Sequence, residues 1–518
     1  MSNISRSRFP WIPVAILALA FSGIVYVQSL PELERNLKSW LFAAIPLLAG
    51  ILLLLWFLCS SRFKGKTRLI ALGIVCVLAV FAKLSLRADG TLDGTGLPRL
   101  VWKWTSKKTP ALTAVKAGNV SAADPKRLAE AADVPQFFGA NRDGIVSGIK
   151  LDQDWKSHPP KELWRQPIGE GWSAFSVVQG RAFTQEQRGE EELVTCYDLW
   201  TGALIWSHSD RARFFQWQGG AGPRATPTVI DGRVYTYGGT GLLNCLDAAT
   251  GKAIWQKSVL TENGLTNIEW GVSASPLIAG DLVIVTGGNP RGPVLFAYRR
   301  DTGELAWKAG DDQATYASPV LGQFGGKSVV LSNNVRALAG YDPATGKVLF
   351  SHDWGGDKWP KASQPVIVGE DRVFVSAGYG IGCQLIKLTA EADGTFSTEE
   401  IWRGMKMKTQ FNSAALRDGH LYGLDDGRLA CLDVATGERL WKEGRFASGQ
   451  SLLVNDLVIV QSESGPVHLC GAKPEGFTEY GKINALSSKT WNHPVLSGRF
   501  LLVRNDREAV CYELPVLP

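Results

Sequence analysis

Glu269, Asp311 and Asp312 are acids that recur at no equivalent place in the chain, and oxygen ligands of this kind are what a calcium ion takes. Nothing in their spacing marks a ligand set, so solvated loop acids is the reading the sequence supports. The six histidines (His158, His208, His352, His420, His468 and His493) are scattered, and no pair has the spacing of a zinc site. No Gly-x-Ser-x-Gly elbow, phosphate loop or dinucleotide fingerprint stands in context. No catalytic or metal-ligating residue is therefore assigned. Another set suits binding rather than catalysis: Trp172, Arg224, Glu269, Trp270, Tyr316, Lys408, Asn412 and Trp491. Each lies just before a β-rich run, an aromatic recurs in most of these loops, and the polar neighbour changes each time. Structural positions repeat and functional ones vary, so the set is a candidate binding face. The competing expectation is that the aromatics only wedge neighbouring elements apart.

The elements that carry these loops come from a repeat. Asp-x-x-Thr-Gly-x-x-x-Trp stands at Asp198, Thr201, Gly202 and Trp206, at Asp247, Thr250, Gly251 and Trp255, and at Asp433, Thr436, Gly437 and Trp441. Weaker copies are Arg299, Thr302, Gly303 and Trp307, then Asp342, Thr345, Gly346 and Phe350. The period is about 40–50 residues, with one gap about twice as wide, and such a period means a propeller or solenoid. Asp and Thr bond local backbone, Gly permits positive φ, and alternating stretches flank the turn, giving strand, turn, strand. A second turn signal (Asp231-Gly232 or Asp418-Gly419, for example) precedes each copy and completes four antiparallel strands, a propeller blade. Blade starts recur at Ser173, Ala225, Ala274, Ala317, Ser363, Asn412, Ser448 and Trp491. The expectation is an all-β, eight-bladed β-propeller over 135–518, with seven blades as the fallback because 388–402 and 470–482 are degenerate. Trp164 is expected to close the ring in one sheet with Tyr512.

The repeat resembles the PQQ-like (pyrroloquinoline quinone) β-propeller repeat, in which the terminal Trp packs between blades. The opening Phe137-Phe138-Gly139-Ala140-Asn141-Arg142-Asp143-Gly144 is similar to that of bacterial envelope proteins with the repeat. The resemblance implies the fold over about 135–518; for function it implies either a non-enzymatic scaffold or a quinoprotein dehydrogenase. The second would hold PQQ and calcium in the funnel, with Glu269 and Asn412 among the retaining groups, and many such enzymes cover the quinone with a disulfide between adjacent cysteines. This chain has no Cys-Cys pair. A binding module that requires no cofactor and takes a protein, peptide or glycan is the expectation; a PQQ- and calcium-dependent dehydrogenase of sugars or alcohols is the alternative. Cys196, Cys245, Cys431 and Cys511 fall at one place in different blades, too far apart to bridge, and read as buried small hydrophobes. The pairing of Cys383 and Cys470 stays open.

Residues 1–88 belong to another solvent. Apolar runs near 12–30, 40–59 and 69–86 are each long enough to cross a bilayer. Arg6 and Arg8 precede the first, and Arg62, Lys64, Lys66 and Arg68 fill the second loop. Glu32, Glu34, Arg35 and Lys38 nearly cancel in the first loop. Positive-inside then predicts a cytoplasmic N-terminus, an inner-membrane anchor and a propeller in the periplasm or extracytoplasmic space. No small-x-small site follows the first run, so an uncleaved anchor is expected. The net charge of +6 is uneven: residues 1–88 hold ten Lys/Arg against two acids, and the rest holds 45 against 47. The basic balance therefore reflects membrane topology and gives no support for nucleic-acid binding. Residues 89–134 read as a linker, of which roughly 105–134 (with Lys107-Lys108 and Thr109-Pro110) is a flexible tether with a short helix near Pro125–Ala132.

Overall fold

The computed structural model describes residues 11–105, 125–358 and 360–517, so Arg6, Arg8, Lys107, Lys108, Thr109, Pro110 and Trp359 lie outside the described residues. The chain divides into two units, 1–109 and 110–518.

The first unit holds three apolar helices, α1 (Trp11–Ser29), α2 (Arg35–Cys59) and α3 (Gly65–Ser85), each long and apolar enough to cross a membrane. The linker expected from residue 89 opens with a hairpin. Leu86–Thr91 (β1) and Pro98–Trp102 (β2) form an antiparallel hairpin, because Leu-Arg-Ala-Asp and Arg-Leu-Val-Trp alternate on either side of Asp93-Gly94. Asp93 accepts hydrogen bonds from the backbone N–H and the hydroxyl of Thr95 and so shapes the turn.

The second unit is an eight-bladed propeller. It opens with α4 (Pro125–Glu130), then a two-residue strand β3 (Ile145–Val146) and β4 (Lys161–Pro167). Blades 1 to 6 are four-stranded antiparallel sheets over 176–210, 228–258, 277–309, 320–353, 366–404 and 415–443. Blade 7 (450–483) gains β3 as a fifth, parallel strand. Blade 8 joins three C-terminal strands (495–513) to β4, with Cys511 opposite Trp164 and Tyr512 opposite Glu162, so the ring closes as the sequence predicts.

One device settles which copies are real. In every blade the ladder between the third and fourth strands breaks at the same step, beside the Trp position: Cys196/Tyr197, Cys245/Leu246, Ala297/Tyr298, Gly340/Tyr341, Leu385/Ile386, Cys431/Leu432, Leu469/Cys470 and Cys511/Tyr512. The bulged residue increases local twist and turns the next side chain toward the neighbouring blade. That register makes Trp402 and Trp164 equivalent to Trp206, although neither belongs to a legible repeat. Six indole Nε1 groups donate to a carbonyl in the next blade's turn: Trp164 to Leu199, Trp206 to Ala248, Trp255 to Arg300, Trp307 to Pro343, Trp402 to Val434 and Trp441 to Lys473, at 2.8–3.1 Å. The ring lies over the turn glycine: at Gly251, where φ is +72°, an added Cβ would stand 2.4 Å from Trp206. The turn itself is built as expected, with Asp247 Oδ1 accepting from the Thr250 N–H at 2.8 Å and hydroxyl at 2.7 Å.

Blade 7 lacks the Trp. Its equivalent is Gly481, and a Cβ there would stand 2.6 Å from Cβ of Trp155, a buried residue of the segment that precedes β4. The N-terminal segment thus supplies the missing wedge. Core side chains fall into separate clusters, each between two adjacent blades, with no single centre. Cys196, Cys245, Cys383, Cys431, Cys470 and Cys511 are buried in them and unbridged, which answers the open pairing of Cys383 and Cys470.

The same segment fills the channel. Val134 bridges Val177 of blade 1, and Pro135 O accepts from Val229 N–H of blade 2 at 2.7 Å. Arg142, buried, donates to Pro276 O at 2.8 Å and Ser275 O at 3.0 Å in blade 3, while its own carbonyl accepts from Gln364 Nε2 of blade 5 at 3.0 Å. Phe137 and Phe138 lie edge-on to His493 at the start of blade 8, 5.7 and 5.0 Å between ring centres.

Candidate functional site

The loops that enter each blade's first strand gather at one mouth of the ring, and hydroxyls stitch their bases. Ala174 N–H donates to Thr226 Oγ1 at 3.1 Å, Thr226 N–H to Ser275 Oγ at 2.9 Å, and Ser275 N–H to Ser318 Oγ at 2.9 Å. Asn492 Nδ2 donates to Ser173 O at 2.8 Å across the seam between blades 8 and 1. These bonds explain the small polar residues at the blade starts: one side chain satisfies the next blade's backbone where a larger one would block it.

Above this collar the aromatics form an arc. Phe411 and Trp491 are 5.2 Å apart, and Trp491 and Trp172 are 4.8 Å apart. The arc continues through an insertion between blades 1 and 2, a small hairpin pairing Phe215–Gln216 with Gly220–Ala221. Trp172 Nε1 donates to Gly219 O from one side, and Trp270 Nε1 donates to Gln218 Oε1 at 3.1 Å from the other. Trp270 then meets Tyr316 at 5.5 Å. Trp172, Trp270, Tyr316, Phe411 and Trp491 are all half-buried, with rings fixed from below and partly open above, whereas Phe215 and Trp217 at the insertion's tip are exposed.

Two cations border the arc. The guanidinium of Arg224 stacks 4.3 Å from the Phe214 ring centre and donates to Gly220 O at 2.9 Å. Burial lowers its pKa to about 9, partly offset by Glu192 and Tyr316. Lys489 Nζ stands 4.2 Å from the Trp491 ring and 5.5 Å from that of Trp172, so it caps both faces as a cation–π partner. Trp491 Nε1 donates to Glu463 Oε1 at 2.6 Å, which fixes the indole plane.

Trp172, Arg224, Trp270, Tyr316 and Trp491 thus come together, and Glu269 is exposed beside them. Lys408 and Asn412 do not. Lys408 is buried, its Nζ 3.6 Å from the fully buried Asp425, which also pairs with Arg439 at 2.9 Å and Lys442 at 2.8 Å. Asn412 is buried, with Oδ1 accepting from Leu424 N–H at 3.3 Å and its carbonyl accepting from Ser363 Oγ at 2.6 Å. Both spend their polarity inside the ring. Sequence reasoning passed over Lys489, two residues before Trp491 in the same loop. Glu463 comes from a turn within blade 7, away from the loops that enter the blades, and nothing in its sequence neighbourhood marks it.

Between the loops entering blades 3 and 4 lies a polar cleft of about 230 Å³ with Asn267, Glu269, Asn289, Gln313, Tyr316 and Pro360 on its walls. Arg142, Phe137 and Phe138 fill the channel, and among the described residues no three His, Cys, Asp or Glu side chains converge as metal ligands. Asp312 is not the solvated acid expected: it is buried, with Oδ2 accepting from the N–H groups of Arg336 at 2.9 Å and Ala337 at 3.2 Å.

The family profile described as outer membrane protein assembly factor BamB matches residues 190–443. The BamB of Moranella endobia (strain PCIT) is 25% identical over 291 residues, covering 52% of this chain and 70% of its own. Among solved structures, BamB from Moraxella catarrhalis superposes with a TM-score of 0.50 at 15% identity, over 68% of this chain and all of its own. Quinohemoprotein alcohol dehydrogenase from Comamonas testosteroni superposes with a TM-score of 0.54 at 13% identity, over 76% and 83%. The two structures share the fold alone, and the fold carries both binding and redox proteins. The recurring Asp-x-x-Thr-Gly-x-x-x-Trp turn, the bulged fourth strand in all eight blades and the profile match over 190–443 together support a β-propeller built from PQQ-like repeats.

Proposed function

We propose that the protein is a membrane-tethered, extracytoplasmic binding module that captures a partner on the aromatic arc and catalyses nothing there. The observation that carries this is the arc itself. Five aromatic side chains from separate loops are held half-exposed, Trp172, Trp270, Tyr316 and Trp491 by hydrogen bonds and Phe411 by its contact with Trp491, with Lys489 and Arg224 beside them. Preordered indoles flanked by cations are what a hot spot offers, because they bury large area on binding and lose little freedom. A protein, peptide or glycan can present the matching groups; the assembly-factor names of the relatives support a protein segment first.

The test pairs binding with stability. Trp172→Ala and Trp270→Ala in the full-length chain are expected to weaken partner capture by about 2 kcal/mol, or about 30-fold, with little change in melting temperature. Trp255→Ala, which removes a blade wedge, is expected to do the reverse. Loss of melting temperature in the arc variants, with binding falling only in proportion, makes the arc structural and ends the proposal.

A further inference from the structure

The hairpin after the third helix separates its side chains by chemistry. Cross-strand partners share a face, so Leu86 with Trp102 and Ala88 with Leu100 lie on one side, and Trp104 continues that row. Arg87, Asp89, Arg99 and Lys103 alternate onto the other, with Val101 among them as the partner of Arg87. The polar side is tied inward: Arg99 pairs with Asp89 at 2.9 Å, Arg87 donates to Thr105 O at 3.1 Å, and Lys103 Nζ donates to Lys83 O at 2.9 Å. The apolar side is open, with Leu100 60% and Trp104 67% exposed. It is also continuous with the membrane helix, since Phe81 of α3 lies 6.4 Å from Trp102, which stacks on Trp104 at 4.9 Å. The far end is pinned to the start of α2, where Trp40 Nε1 donates to Thr95 O at 3.0 Å and Arg35 pairs with Asp93 at 3.3 Å.

We infer that β1 and β2 are an interfacial element, whose Leu100, Trp102 and Trp104 insert among the lipid headgroups on the side where α3 ends. The occupant of this face is lipid because the face prolongs the lipid-facing flank of α3. Tryptophan and leucine with basic neighbours are the side chains that settle at that depth. A hairpin held there would join the ends of α2 and α3 and fix the height at which the chain leaves the bilayer.

The inference rests on the three helices spanning the bilayer, and the experiment separates the two. In the full-length chain, Cys59→Ser and Cys76→Ser remove the two exposed thiols, and either Leu100→Cys or Lys103→Cys adds one for a bimane label. A third sample, Cys59→Ser alone, carries the label at Cys76 in the middle of α3. After reconstitution, quenching by brominated lipid (bromines near the headgroup for positions 100 and 103, deep in the acyl chain for Cys76) is compared with quenching by aqueous iodide. Bimane at position 100 is expected to be quenched by brominated lipid and shielded from iodide, and bimane at 103 to behave the opposite way. Equal iodide quenching at both positions overturns the inference, as does a position-100 probe shielded from iodide and from brominated lipid alike, which would mean that protein covers the face. Failure of brominated lipid to reach Cys76 would instead remove the membrane reading beneath it.

Discussion

His493 and Glu192 pull the pH dependence of stability in opposite directions. His493 sits beside Phe137 and Phe138 with Nε2 3.1 Å from Ser451 O, and burial lowers its pKa from 6.5 to about 4. The unfolded chain therefore binds a proton that the folded chain refuses, so stability is lost as pH falls from about 6.5 to 4, by up to about 3 kcal/mol. Glu192 is buried, with Oε2 accepting from Gly239 N–H at 3.1 Å, and burial raises its pKa from 4.5 to about 7. Here the folded chain keeps a proton that the unfolded chain releases, so its contribution fades as pH rises from about 4.5 to 7. Between about 4.5 and 6.5 the two slopes oppose each other. Removing either exposes its partner's slope. Glu192→Gln is expected to melt at rising temperature as pH rises through that window, and His493→Gln at falling temperature. Parallel curves for the two variants would show that one of the groups is not buried in the state assigned. Neither residue was legible as special in the sequence: their desolvation comes from the plug segment and from Gly238, at which a Cβ would strike the Glu192 carboxyl.

At the scale of elements, the readable part of the chain is the part where one residue does the same job in every copy. Asp, Thr, Gly and Trp are demanded by one local turn and one neighbour, so five copies can be read directly. Trp402 was hidden because the turn before it is lengthened: Asp393 accepts from the hydroxyl of Thr395 two residues on, at 2.6 Å, whereas in the legible copies the donating Thr stands three residues on. Trp155 was hidden for another reason: its partner, Gly481, is more than 300 residues away and is marked only by the absence of a side chain. The hairpin at 86–102 carries its signals in the sequence, an alternating pattern and an Asp-Gly turn, but belongs to no repeat that would draw attention to it. The substitution of a distant Trp for a missing blade Trp can be tested. Trp155→Ala is expected to cost about 3–5 kcal/mol, as for other buried aromatics. Adding Gly481→Trp, which returns an indole to the register position it holds in six other blades, is expected to recover part of that loss. A double variant that melts no higher than Trp155→Ala alone would falsify the equivalence.

The whole molecule is asymmetric in charge, and that asymmetry predicts its orientation. Arg62 and Lys64 in the loop between α2 and α3 stand with Lys66 and Arg68 at the start of α3, while Glu32 and Glu34 before α2 nearly cancel Arg35 and Lys38 in its first residues. Lys and Arg in short loops resist translocation, whereas long domains cross largely regardless of their charge. The propeller, with 45 basic and 47 acidic residues after position 88, then follows α3 to the other side. Replacing those four basic residues with Asn, and Glu32 and Glu34 with Lys, moves the positive loop to the opposite end of α2 and is expected to invert or scramble the insertion. A C-terminal alkaline phosphatase fusion reads the result, since the enzyme is active only outside the cytoplasm. The native fusion is expected to be active and the charge-swapped one largely inactive. Inactivity of the native fusion, with a fluorescent-protein fusion bright at the same position, would put the propeller and its aromatic arc in the cytoplasm. In that arrangement every candidate partner outside the cell membrane would be excluded at once, while the blades, the plug and the arc would stand as described.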